Sequence, residues 1–207
     1  ILAAAYYAWD AQMMAEMAKA AGFDNQVEKY KTLFADEKAY FIENFVTSDG
    51  KMRRGEQSVC LYALYLDLLP HSASVNAVTD QLLENIKRNG NRLQTGFLGT
   101  KIILDTLTKV GQNQVAYTLL FQEQNPSWLY TVNQGATTVW ERWNSYTVAD
   151  GFADVGMNSF NHYAYGAVAE WMFATMAGIG NSQPGFKWIC LAPAPDRRLP
   201  LVRAEYQ

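Results

Sequence analysis

One segment of the chain combines the side chains that a sugar-hydrolysing site needs. In Gln134–Asn144 the carboxylate of Glu141 lies between Trp140 and Arg142, and a second indole follows at Trp143. Indole rings offer flat apolar faces to the C–H face of a pyranose, and a guanidinium donates hydrogen bonds to hydroxyls. A carboxylate beside a bound sugar can activate a water molecule. The segment therefore predicts Glu141 as catalytic and Trp140, Trp143 and Arg142 as substrate-binding residues.

A glycosidase needs a second carboxyl group, because one group protonates the leaving oxygen while the other acts as base or nucleophile. Asp150 and Asp154 lie in a glycine-flanked loop, whereas Glu123 and Asp105 fit ordinary helix surface. None of the four is a convincing partner for Glu141. A structural alternative also stays open, in which Glu141 forms only a solvated ion pair with Arg142.

His162 is a further candidate for sugar binding. His162, Gly166 and Glu170 follow one another at steps of four residues, which places them on one side of a predicted helix. Gly166 has no side chain that would separate the other two. The alternative is a structural histidine, partly buried and paired with Glu170.

Composition excludes several functional classes. The 207 residues are 49% hydrophobic, and the net charge of −3 is spread along the chain, so neither nucleic acid nor membrane is an expected partner. Two cysteines, Cys60 and Cys190, and two histidines show no metal-binding spacing, so we expect no metal and no organic cofactor. Apolar neighbours predict a buried thiol at both cysteines.

Apolar stripes at helical spacing predict six helices before residue 124, joined in pairs by short turns. The first stripe consists of Leu2, Tyr6, Trp9, Met13 and Met17 and ends near Gly22. The expected starts of the later helices are Asp24, a point before Leu61, Ser72 or Ser74, Thr100, and a point before Val115. Such hairpins are typical of a helical bundle or toroid.

The remaining third of the chain is predicted to be less regular. Residues 125–156 form an aromatic-rich loop region, after which Ser159 caps a long final helix that ends at Gly178. Phe186–Leu191 and Leu201–Tyr206 are predicted as two short strands that open a β-domain.

Two longer motifs, Gln134–Trp143 and Met157–Trp171, closely resemble the C-terminal part of the catalytic domain of bacterial α-L-rhamnosidases of glycoside hydrolase family 78. Thr95–Thr100 and Pro126–Tyr130 add to this resemblance. The family fold implies an all-α (α/α)6 toroid of helical hairpins, followed by a β-sandwich. On that basis residues 1–180 are expected to belong to the catalytic domain, and residues 181–207 to begin the β-domain.

The resemblance also implies a function. Terminal α-L-rhamnosides, on a small glycoside or a polysaccharide, would be hydrolysed with inversion, with Glu141 as general base and His162 holding the sugar. The family's general acid lies upstream of anything that corresponds to Ile1, so the chain is expected to be a piece of a larger enzyme, inactive without the missing N-terminal part. Asn144 and Gly55–Ser58 depart from the family pattern.

Two other functions stay open from the sequence. Another toroid glycosidase, acting on a different sugar, would share the scaffold and the base. A non-catalytic sugar-binding or structural module would keep the aromatic site without turnover.

Overall fold

The computed structural model describes residues 1–205 and is mostly helical, which confirms the predicted all-α class. The chain forms two compact units, the first comprising Ile1–Ile86 and the second beginning at Lys87. Within the described residues, no helix has the length and apolar content that crossing a membrane requires. The toroid, the β-sandwich and the domain boundary after residue 180 stay predictions.

The helices of the first unit lie where the apolar stripes place them. They are α1 (Leu2–Ala20), α2 (Asp24–Phe45), α3 (Gln57–Tyr65) and α4 (Ser72–Arg88). The turn between α1 and α2 passes through Gly22, whose φ of 77° falls in the left-handed region that glycine adopts without a steric penalty.

The buried face of α1 is not the predicted one. Five alanines are buried (Ala5, Ala8, Ala11, Ala15 and Ala18), whereas Leu2 is 43% and Met17 is 56% exposed. Small side chains allow close packing of the helix backbone, so the alanine face of α1 is buried while Leu2 and Met17 stay exposed.

Helix α4 begins at Ser72 as predicted, but a histidine provides its capping group. The backbone N–H of Ser74 donates to Nδ1 of His71 over 3.2 Å. This bond satisfies one of the N–H groups that have no partner inside the first turn of a helix.

The second unit begins with three helices and a short hairpin. The helices are α5 (Phe97–Lys109), α6 (Asn113–Leu120) and α7 (Trp128–Asn133), and the antiparallel strands are β1 (Tyr146–Thr147) and β2 (Gly151–Phe152). The prediction that Thr100 caps α5 is wrong, because the helix begins at Phe97 and Thr100 is buried inside it.

The predicted long final helix is also wrong in type, although the chain does wind continuously there. It passes from a 3-10 helix (Tyr163–Ala167) through α8 (Val168–Trp171) into a π-helix (Met172–Met176). Trp171 is 1% exposed, and its indole N–H donates to the Thr108 hydroxyl over 2.9 Å. This bond fixes α8 against α5.

The tail pairs differently from the prediction. Strand β3 (Ile179–Asn181) pairs in antiparallel fashion with β4 (Ile189–Leu191), which confirms a strand within 186–191 but gives it another partner. No strand forms over residues 201–205, and Tyr206 lies outside the described residues.

The two cysteines differ in environment. Cys60 is fully buried, and burial raises the pKa of its thiol to about 12. Cys190 is exposed on β4, so the prediction of a buried thiol is confirmed for Cys60 and wrong for Cys190.

Candidate active site

The two motifs singled out in the sequence lie side by side. The N–H of Glu141 donates to the carbonyl of Ser159 over 2.9 Å, and the N–H of His162 donates to the carbonyl of Val139 over 2.8 Å. These bonds join the two segments as a short antiparallel pair, and the structure therefore brings the segments of both principal candidates, Glu141 and His162, together.

The carboxylate of Glu141 is held from one side. Its Oε2 accepts the backbone N–H of Ser159 over 2.8 Å, while no described residue donates to Oε1. Arg142 donates through Nε to the carbonyl of Met157 over 2.9 Å, and through a second nitrogen to the carbonyl of Gly156. The guanidinium therefore anchors the adjoining loop, and Glu141 keeps one oxygen available to accept a proton.

A tight turn fixes the indoles on either side of Glu141. The N–H of Arg142 donates to the hydroxyl of Ser145 over 3.2 Å, and that hydroxyl donates back to the carbonyl of Arg142 over 3.0 Å. An extended strand would place Trp140 and Trp143 on opposite faces. The turn instead buries both, leaving them 6% and 8% exposed.

Both indoles are packed against other rings. Trp140 meets Phe160 edge-on at 5.4 Å between ring centroids, and Trp143 stacks on Tyr165 at 3.8 Å with 17° between the planes. Both also line an apolar cavity of about 560 Å³. These contacts show a structural role, and sugar binding by either indole stays a prediction.

The imidazole ring of His162 is held by a hydrogen bond at one edge and by an aromatic ring stacked on one face. Its Nδ1 accepts the N–H of Ala164 over 3.5 Å, and the ring stacks on Phe97 at 4.7 Å with 28° between the planes. An accepting Nδ1 in a neutral imidazole places the proton on Nε2. Nε2 is then the nitrogen that can donate to a ligand.

His162, Gly166 and Glu170 all line an open cavity of about 930 Å³, and their neighbours Tyr163, Ala164 and Ala167 line it as well. Glu141 is not among the described residues that line this cavity. Phe97, at the start of α5, also lines it. No sequence pattern pointed to Phe97 beyond the motif that contains it.

Comparison with known proteins decides the family. Residues 1–176 match the family described as bacterial α-L-rhamnosidase 6 hairpin glycosidase domain. The chain belongs to this family. An α-L-rhamnosidase of Formosa agariphila is 42% identical over 206 residues, which are 99% of this chain and 22% of that protein. For an α-L-rhamnosidase of Streptomyces avermitilis the identity is 40%, over 100% of this chain and 20% of the relative.

Solved structures agree with the sequence relatives. The crystal structure of Streptomyces avermitilis α-L-rhamnosidase complexed with L-rhamnose superposes with a TM-score of 0.88 at 42% identity, over 93% of this chain and 18% of that one. The α-L-rhamnosidase of Aspergillus terreus gives a TM-score of 0.88 at 33% identity, over 92% and 22%. The chain thus spans about a fifth of the length of the curated relatives it matches.

The environment of one carboxyl group in this rhamnosidase-family chain differs from the expected one. Asp105 of α5 is half-buried rather than ordinary helix surface. Its pKa is raised from the ordinary 3.8 to about 6, mainly by burial and also by the negative charge of Glu170, whereas the nearby Lys101 acts to lower it. Glu170 thus acts on Asp105.

We expect Asp105 to weaken the folded state as pH rises. Because the pKa is about 6 when folded, the native state binds more protons than the unfolded chain between about pH 4 and pH 6, so stability falls across that window. Asp105→Asn removes this loss. Above about pH 7 the free energy of unfolding of the variant should exceed that of the parent by about 1 kcal/mol, after allowance for partial exposure, and the variant should unfold at a higher temperature. Below about pH 4 the two proteins should be equally stable.

Thermal unfolding followed by circular dichroism across this pH range measures the difference. Asp80→Asn is the matched control, since Asp80 is an exposed aspartate on α4. A pH-independent difference between Asp105→Asn and the parent would contradict the assignment.

Proposed function

We propose that this chain supplies the general base and one sugar-holding side chain of an enzyme that hydrolyses terminal α-L-rhamnosides with inversion. The observation that carries the proposal is the environment of Glu141. Its carboxylate is oriented by the Ser159 N–H, no described residue donates to its Oε1, and its segment is hydrogen-bonded to the segment that contains Ser159 and His162. The relatives named α-L-rhamnosidase support the substrate class.

The proposed chemistry uses this geometry as follows. Glu141, as a carboxylate, takes a proton from a water molecule while the water oxygen attacks the anomeric carbon. The bond to the leaving oxygen breaks as an acid delivers a proton to that oxygen, which gives the free sugar with inverted configuration. Nε2 of His162 donates a hydrogen bond to a sugar oxygen and so holds the ring.

The acid is proposed to come from another part of a longer polypeptide. An inverting enzyme requires two carboxyl groups about 6.5–9.5 Å apart. The chain spans about a fifth of its curated relatives, so most of a relative's carboxyl groups lie outside the matched region. The substrate is a rhamnosylated glycoside or polysaccharide.

A panel of aryl glycosides tests the proposal on the complete enzyme. We expect turnover of the α-L-rhamnoside above that of other deoxy-sugars and hexoses, and NMR of the first product should show the inverted anomer. Faster turnover of another glycoside would favour a different toroid glycosidase. Binding of L-rhamnose without turnover of any glycoside would favour a sugar-binding module.

His162→Ala should mainly weaken substrate binding. Loss of the hydrogen bond from Nε2 is expected to cost about 1–3 kcal/mol, seen as a higher KM with kcat changed less. Steady-state kinetics on the complete enzyme measures both constants.

His71→Ala is the matched control for this prediction. Both imidazoles accept a backbone N–H through Nδ1 at the start of a helix, His71 from Ser74 and His162 from Ala164. Both variants therefore lose one capping bond, but only His162→Ala should raise KM. A His162→Ala protein that does not fold would instead support the structural interpretation of this histidine.

A further inference from the structure

Five aromatic rings form a continuous series that connects the Glu141 segment, through Trp143, with His162. The series, here called the aromatic column, consists of Trp128, Trp143, Tyr165, Phe97 and His162. Successive centroids are 5.7, 3.8, 5.0 and 4.7 Å apart, with edge-on and stacked contacts in alternation. Such geometries are the favourable ones for aromatic pairs.

One end of the aromatic column is firmly anchored. The indole N–H of Trp128 donates to the backbone carbonyl of Tyr165 over 2.9 Å. This bond fixes the backbone at Tyr165. Trp143 and Tyr165 are both buried. Phe97 is half-buried, so its ring meets the fixed Tyr165 with one part and the imidazole of His162 with another.

The other end needs this support. Rotation of an imidazole about its second side-chain torsion is broad and weakly restrained. The bond from Ala164 to Nδ1 of His162 is long, at 3.5 Å, and holds one edge of the ring only. The face of Phe97, lying at 28° to the imidazole, restricts the plane in which Nε2 points.

We infer that Phe97 is a positioning residue for sugar recognition: it stacks on His162 and aims the Nε2–H at the bound sugar before binding. This inference rests on the proposed function. Ordering an otherwise mobile side chain on binding costs affinity, so a ring that is already oriented binds more tightly. The phenyl ring of Phe97 carries no group that can exchange a proton, so its effect belongs to KM rather than kcat.

The test uses Phe97→Leu in the complete enzyme, because leucine keeps apolar volume and removes the flat face. We expect KM for an aryl α-L-rhamnoside to rise about three- to tenfold, with kcat within about twofold of the parent value. Phe97→Tyr keeps the flat aromatic face and should therefore keep KM near the parent value. Phe45→Leu is the matched control, since Phe45 is also half-buried and packs on Tyr40 and Phe41 rather than on His162.

A double-mutant cycle separates positioning from packing. If Phe97 acts through His162, then Phe97→Leu should leave KM unchanged in a His162→Ala background. An equal KM rise in both backgrounds, an unchanged KM in the single variant, or failure of Phe97→Leu to fold would each overturn the inference. Absence of any rhamnoside turnover by the parent enzyme would remove the proposed function and this inference together, whereas parent turnover with an unaffected Phe97→Leu would remove only the latter.

Discussion

Glu141→Gln in the complete enzyme is expected to lower kcat by about two to four orders of magnitude while KM changes little. The amide has nearly the shape of the carboxylate, and its oxygen can still accept the N–H of Ser159 that orients the side chain. It cannot take a proton from the attacking water. Steady-state kinetics with an aryl α-L-rhamnoside measures the change, and an unchanged kcat would remove the base assignment.

Two comparisons sharpen this experiment. Glu123→Gln makes the same chemical change at an exposed glutamate just beyond α6 and should leave kcat unaltered. Azide attacks an anomeric carbon without transferring a proton to a base. It should therefore restore part of the lost rate in Glu141→Gln and form a glycosyl azide of inverted configuration, whereas a merely misfolded site would gain nothing.

The candidate chemistry-bearing residues could be proposed from local sequence because their types and spacing are local properties. The partners that orient them could not. Ser159 lies 18 residues from the carboxylate it binds, and Phe97 lies 65 residues from the histidine it supports. Ser145 gave no such signal, since its hydroxyl accepts the N–H of a residue three positions earlier, which is the reverse of the usual serine turn.

Helix positions were predictable and the buried face of α1 was not. A stripe of large apolar residues indicates a helix by its period, but which face packs depends on how closely the neighbour approaches. Here the alanines of α1 are buried, while Met17 is exposed. Alanine contributes little to an apolar pattern, yet it permits the closest packing.

The final helical stretch shows a different limit. A step of about four residues does not distinguish an α-helix from consecutive 3-10 and π segments, because tighter and wider turns compensate each other. His162, Gly166 and Glu170 line one cavity, although the helix type differs from the prediction. The helical winding was predictable here, and the hydrogen-bond pattern was not.

The second large effect is expected from the 207-residue chain by itself, which should show no rhamnoside turnover. Inversion requires an acid in addition to Glu141, and that acid needs a desolvated or charge-coupled site that keeps it protonated. Asp150 and Asp154 are exposed, and each carboxylate accepts a bond within its own turn, from the Thr147 hydroxyl and the Gly156 N–H. They are poor proton donors for a bound sugar.

Among the described residues, Asp105 is the one carboxyl group whose pKa is raised to about 6. It is therefore the strongest candidate for a general acid within this chain. Its pKa is raised by burial and, to a lesser extent, by the negative charge of Glu170, and α5, which carries Asp105, is fixed to α8 through Thr108 and Trp171. Incubating the purified chain with an aryl α-L-rhamnoside tests this directly. Turnover by this chain that disappears in both Glu141→Gln and Asp105→Asn would place the acid inside this chain. If the chain alone shows no turnover, and turnover appears when the rest of the enzyme is supplied, the acid lies in the longer polypeptide.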